Sequence, residues 1–378
     1  MTKRARSGVK TSPKPLPPPA HTGPQLVRPA RPINFSALPD KREVRVRIGK
    51  DGKPIPGFPN RLIMPMDLQT ELARTADQLW YPHPLPSHLR NPSSIINHCA
   101  DADEYRSALI WLDEAFSPSV PIFNHPRAIA RSRRDLSSQA LAGITGLTVP
   151  QCVRFKAQSR ASFERCFAEH GFQFPVLVRP IAGQTGQGLI KVERPDDWDA
   201  AVHTQWFGQP HFMTQFVEFA TQEQVYLKAR VLFIGGQFFI RHIKGANGWK
   251  VHNDSENSIR NFQDRELELV HSLNDNAHFA RICAEVPGRT GLDFCGMDMG
   301  IDPDRNCFVM FECNAAMSVF FKTHEPVDSQ RQARRDFFET PAALAFEAHL
   351  RTPQDWLWKN QSVSQGEDSQ SCRTLLTA

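Results

Sequence analysis

The run from residue 294 to 314 constrains this chain more than any other. It reads Phe-Cys-Gly-Met-Asp-Met-Gly-Ile, then Asp302-Pro303-Asp304-Arg305-Asn306, then Cys-Phe-Val-Met-Phe-Glu-Cys-Asn. Strand-length apolar runs over 296–301 and 308–314 flank a turn-forming stretch. One run carries Asp298, the other Glu312 and Asn314. Side chains at i and i+2 of a strand face the same way, so a pairing through the Pro303 turn lets the three converge. Burying carboxylates among apolar residues is costly unless something compensates them. Mg²⁺ takes one or two carboxylates together with phosphate oxygens and water, so a metal site of Asp298, Glu312 and Asn314 is expected. The structural alternative is a set of salt bridges.

Three further features bear on the same chemistry. Gly183-Gln184-Thr185-Gly186-Gln187-Gly188 lies between expected strands at 175–179 and 189–192. Its glycines stand at positions 1, 4 and 6, whereas a dinucleotide fingerprint needs 1, 3 and 6 and leads into a helix. A glycine loop between two strands is a flap whose N–H groups can close over phosphate oxygens; a plain hairpin loop is the alternative. Arg179 sits four residues ahead, in an otherwise apolar strand, where an unpaired buried cation would be costly. A phosphate gripped bidentately would partner it, as would an internal acid. A hairpin over 225–243 turns at Gly235-Gly236. A two-residue loop sets residue 230 opposite 241, so Lys228, Arg230 and Arg241 share a face. Like charges facing each other across a sheet are unfavourable; a bound polyphosphate or carboxylate, or neighbouring acids, would relieve them. His242, Lys244, Trp249, Lys250 and His252 follow as a polar stretch, and no general base is assigned.

Among 378 residues, 40% are hydrophobic and 22% charged, as in ordinary globular chains. No apolar run reaches the roughly 18 residues that span a bilayer, and the N-terminus has no signal-like core. Eight scattered cysteines without a CxxC pair fit reduced thiols in a cytoplasm rather than zinc or disulfides. The net charge of +5 belongs to the first 39 residues, which hold seven Lys/Arg and no acid, leaving 38 basic against 40 acidic residues elsewhere. A nucleic-acid groove on the folded body is therefore not expected. The same 39 residues carry nine of thirty prolines, the composition of a disordered or polyproline arm. The expected division is an arm over 1–40, an N-terminal α/β lobe over 41–140, a nucleotide-clamping domain over 141–350 and a flexible tail over 351–378. Helices are expected over 66–81, 102–116, 127–141, 162–170, 265–283 and 341–350.

The order of these elements resembles the ATP-grasp superfamily over about residues 120–350. Asn124-His125-Pro126 with Arg133-Arg134-Asp135 resembles the segment that sends a basic residue to the nucleotide phosphates. The stretch Phe174-Pro175-Val176-Leu177-Val178-Arg179-Pro180 resembles the strand whose basic residue contacts the α- and β-phosphates, and the loop 183–188 resembles the phosphate flap. Met213-Thr214-Gln215-Phe216-Val217-Glu218 resembles the hinge that holds adenine by backbone groups, with an acid nearby for ribose. Asp298, Glu312 and Asn314 match the superfamily's metal triad in type, order and spacing. The chain departs from it in having Arg134 and Arg179 where lysines are frequent, and Gln215 where Glu is.

The resemblance implies an α/β (α+β) ATP-grasp fold with two nucleotide-clamping subdomains, ATP with one or two Mg²⁺ ions, and cofactor contacts from Arg134, Arg179, Gly183, Gln184, Thr185, Gly186, Gly188, Gln215, Phe216, Val217 and Glu218. It implies a carboxylate–amine ligase, in which Arg230 with Lys228 or Arg241 stabilises the transferring phosphoryl group or grips the acceptor. The substrates would be small-molecule or peptide carboxylates and amines, with no membrane and no nucleic acid. Alternatives are a small-molecule kinase, a non-catalytic nucleotide-binding module, and a nucleic-acid binder acting through the basic arm.

Overall fold

The computed structural model describes residues 30–49, 51–181, 188–202, 208, 210–252, 257–259, 262–317, 319–320, 328–358 and 371–377. The chain divides into Met1–Ala30 and Arg31–Ala378, and essentially all described residues belong to the second unit. Residues 1–29 of the expected arm lie outside the described residues.

The unit starts with β1 (Ile33–Ala37), β2 (Arg45–Ile48), β3 (Pro54–Gly57), α1 (Met66–Thr75), β4 (Asp77–Tyr81), β5 (Ile95–Asn97), α2 (Arg106–Ala115), β6 (Ile122–Phe123) and α3 (Pro126–Arg131). Strands β4, β1, β5 and β6 form a parallel sheet in that order. Parallel sheets are covered on both faces, and all five residues of β1 are buried. The arm expected to reach residue 40 therefore gives way to a central strand at Ile33. The proline density around it hid a run whose partners come from far along the chain. The helix expected over 66–81 ends at Thr75: Ala76 is extended, and Asp77–Tyr81 pairs with β1. Here sheet pairing overrides helical periodicity.

Next come α4 (Arg134–Leu141), β7 (Leu147–Thr148), β8 (Cys152–Lys156), α5 (Arg160–Glu169), β9 (Val176–Pro180), β10 (Ile190–Val192), α6 (Trp198–Val202) and β11 (Pro210–Gln215). The expected single helix over 127–141 is two, because Arg133 is extended and makes an ion pair with Asp135 at 2.8 Å. Strands β10, β9, β11 and β8 form an antiparallel sheet. Phe163, Cys166 and Trp198 of α5 and α6 pack with Val176, Val178 and Met213 in its core.

The remaining elements are β12 (Tyr226–Ile234), β13 (Gln237–Ala246), α7 (Gln263–Asn274), α8 (Ala277–Thr290), β14 (Phe294–Asp302), β15 (Cys307–Asn314), α9 (Ser329–Phe338), α10 (Thr340–Leu350) and α11 (Cys372–Thr377). The helix expected over 265–283 breaks at Asn276, whose side chain accepts from His278 and Phe279 N–H and so caps α8. Sheet order is β13-β12-β14-β15-β7. The β12–β13 turn has positive φ at both Gly235 and Gly236, as the twist of a two-residue hairpin demands. All nine residues of β14 are buried. The tail expected to be flexible over 351–378 is anchored at both described ends. Trp356 is buried against Phe123, and Cys372 of α11 donates its N–H to Asp113 at 3.0 Å.

Buried Asp293 ties these parts together. It accepts from Asn124 N at 2.9 Å and Leu357 N at 2.8 Å, and its carboxylate lies 3.0 Å from His349 Nε2. Asp293→Ala leaves a buried N–H, a part-buried N–H and a ring nitrogen without that partner, each costing about 1–3 kcal/mol. Urea unfolding should register a loss of about 3 kcal/mol or more.

Candidate active site

The site is built on one row of the five-stranded sheet. Arg230 on β12 lies opposite His242 on β13 and Asp298 on β14, and Asp298 lies opposite Glu312 on β15. Directly opposed residues share a face, so this row points one way. Two β-bulges produce it. Beyond the bulge in β15, Asp298 pairs with Glu312; on its other side Met299 pairs with Met310, which leaves Phe311 as the extra residue. In unbroken register Phe311 would oppose Asp298 and the acid would turn to the far face. The expected convergence of Asp298, Glu312 and Asn314 thus occurs, and it depends on this bulge.

The second bulge corrects an expectation. Val231 pairs with Ile240 as the glycine turn requires, but Arg230 pairs with His242 rather than Arg241. Arg241 is the extra residue. It donates to Val319 O at 2.8 Å and lies 3.5 Å from Glu339. Lys228 and Arg230 keep a common face, but their counter-ion is internal. Arg230 grips Asp298 bidentately at 2.7 and 2.8 Å, and Lys228 Nζ lies 3.1 Å from the same carboxylate.

Asp298 is flanked two residues away by Gly296 and Gly300, which let other side chains settle onto its face. A methyl added at Gly300 would lie 2.6 Å from the Phe219 ring, and one at Gly296 would lie 2.4 Å from Met317 sulfur. Glu312 pairs with Arg134, the first residue of α4, which also donates to Phe311 O at 2.6 Å. The bulge that turns Glu312 inward thus also presents the carbonyl that anchors Arg134.

Electrostatics follow from this crowding. Burial alone would raise the Asp298 carboxyl, but the Arg230 hydrogen bonds and the Lys228 charge hold it far below the usual carboxylate range. Burial, then the Arg134 charge, lowers the Arg179 guanidinium to about 10. Burial, then Lys228 and Arg230, brings Lys244 down to about 8. His242 lies well below its ordinary value for like reasons, burial first and then Lys244 and Arg230, and is neutral. Four cations (Arg134, Arg179, Lys228 and Arg230) thus meet two carboxylates, an excess that favours an anionic ligand.

These groups line a cavity of about 1140 Å³ together with Leu177, Gln215, Phe216, Val217 and Trp249. Of the expected hinge, Gln215 ends β11 and donates to Pro175 O at 3.1 Å. Phe216 stands under Lys191, whose Nζ is 4.1 Å from the ring centre, and edge-on to Trp249. Glu218 is not in the cavity lining: its carboxylate accepts from Phe219 N at 2.9 Å and Ala220 N at 3.0 Å. Gly188, the last residue of the expected flap, has φ +66°; Gly183, Gln184, Thr185 and Gly186 lie outside the described residues.

Asp298, Glu312 and Asn314 offer hard oxygens from one face, which fits a divalent cation that completes its shell with phosphate and water. A bound cation would compete there with Arg230, Lys228 and Arg134. Among the described residues no group of three or more His, Cys, Asp or Glu is placed to hold a metal ion. None of the described helices is long and apolar enough to cross a membrane. Arg154 was missed by sequence reasoning; it lines the cavity and pairs with Asp103 at 2.5 Å. Arg334, on α9, was also missed, for no helix was expected there.

No family model matches the chain, and a search of curated proteins returns no match. Solved structures do. A D-alanine–D-alanine ligase from Bacillus anthracis is 12% identical, with 86% of this chain and 99% of that one covered at a TM-score of 0.45. A RimK-domain ATP-grasp protein from Sphaerobacter thermophilus is 14% identical, covering 84% and 99% at 0.43. The ATP-grasp ligase PsnB, solved with a minimal precursor, Mg and ADP, is also 14% identical, covering 85% and 97% at 0.43.

Proposed function

We propose that the protein is an ATP- and Mg²⁺-dependent carboxylate–amine ligase of the ATP-grasp type. The observation that carries this reading is the row Arg230–Asp298–Glu312, with Arg134 and Arg179 beside it, lining one large cavity. Positive excess next to convergent oxygen donors suits a metal-bound polyphosphate. Residues 141–350 would clamp the nucleotide, with 41–140 as the accompanying lobe. All eight cysteines are free thiols and seven are buried, which supports a cytoplasmic setting.

Arg134, Arg179 and the flap would orient the phosphates, and the 215–217 stretch would meet the adenine. Asp298, Glu312 and Asn314 would hold one or two Mg²⁺ ions, which supply charge neutralisation at the phosphate oxygens. A carboxylate oxygen then bonds to the γ-phosphorus as the P–O bond to ADP breaks. The amine nitrogen bonds to the acyl carbon, phosphate leaves with the C–O electron pair, and the amine gives up a proton. Two anions must meet in the first step. Lys228 and Arg230 offset that repulsion, so the step needs positioning and electrostatics rather than a general base.

Calorimetry of ATP with Mg²⁺ tests this on the wild type and on Glu312→Ala. Magnesium-dependent binding, weakened about tenfold or more in the variant, is expected. No ATP binding by the folded wild type overturns the reading.

A further inference from the structure

A second cavity of about 520 Å³ adjoins the first, and Arg230 lines both. Arg241, His242, Lys244, Glu266 and Arg334 also line it. Three of its four cations are partly compensated. Arg230 meets Asp298 through Nε and Nη2, which leaves Nη1 for a ligand. Arg241 has Glu339, and Arg334 has Glu266, whose other oxygen accepts from Ile243 N at 3.0 Å. Lys244 lies opposite Lys228 across the ladder, and among the described residues no carboxylate is within ion-pair distance of it. His242 adds a second, independent mark: its Nε2 is buried and finds no hydrogen-bond partner among the described residues. Buried polar atoms are rarely left so in a finished structure. The volume suits a small molecule.

We propose that this cavity seats the acid to be activated, and that this acid carries two carboxylates. The reacting carboxylate lies at Arg230, where the two cavities share a wall. The second lies at Arg241 and Arg334, and a polar group of the substrate bonds Nε2 of His242. A monocarboxylate held at Arg230 would leave the Arg241–Arg334–Lys244 side without an added anion. The inference rests on the ligase reading, since it makes this cavity the acceptor side of that reaction.

The test is calorimetry on the full chain without nucleotide, using matched probes: L-glutamate against L-glutamine, glutarate against pentanoate, succinate against butyrate. At least one dicarboxylate should bind about tenfold or more tightly than its match. Arg334→Gln, a half-exposed position, should bring that ratio near one, and Arg241→Gln serves as the second variant, both checked for unchanged thermal unfolding. Equal binding within all three pairs overturns the proposal, as does a preference that survives both substitutions. No binding of any probe by a wild type that still binds Mg-ATP also overturns it and leaves the ligase reading standing. Failure of Mg-ATP binding itself is the separate result that removes the ligase reading.

Discussion

Arg230→Ala should lower kcat/KM by about 10³-fold or more, the scale of removing an arginine that stabilises a transferring phosphoryl group. Arg230 lines both cavities, as His252 does, and holds Asp298 in place. Its loss removes a positive charge where two anions must approach, and it frees a carboxylate to repel them. Arg230→Lys should recover little of the activity, because one ammonium cannot make the paired 2.7 and 2.8 Å contacts. Steady-state phosphate release, on whichever acid and amine prove to be substrates, reads the effect. Activity within tenfold of wild type would remove Arg230 from the reaction.

Asp298→Ala has the largest expected effect on stability. Asp298 is 4% exposed and neutralises both Lys228 and Arg230. Removing one side of a buried ion pair costs about 3–5 kcal/mol, because the other charge stays behind. The variant carries a remedy with it: an added polyanion can take the vacated place. Tripolyphosphate without metal should therefore raise the melting temperature of Asp298→Ala more than that of the wild type. Equal shifts would mean that the two cations are not open to a ligand.

Much of this site was legible before folding. The residue types Asp298, Glu312 and Asn314, their order and their apolar surroundings pointed to buried oxygen donors, and Arg179 in its apolar strand to a cation in need of an anion; Arg134 entered only through the resemblance. Helix limits were less legible. The breaks at Arg133 and Asn276 depend on a local ion pair and a cap, and β1 and β4 form only because each finds the other. The tail was read as flexible because its composition is polar, yet Leu375 and Leu376 of α11 are buried in the main core, against residues far away in the chain.

The turn at Gly235-Gly236 is a property of the sequence, since few other pairs accept positive φ at both positions. So is the G-x-D-x-G run around Asp298, which frees space on one strand face for Phe219 and Met317. What the sequence could not determine is register. Alternation along one strand says which residues share its face, but not which partner face they meet, and a one-residue slip exchanges the two. The extra residues at Phe311 and Arg241 arise from how four strands, β13, β12, β14 and β15, twist and pair together. Those bulges set Glu312 beside Asp298 and place His242, not Arg241, opposite Arg230.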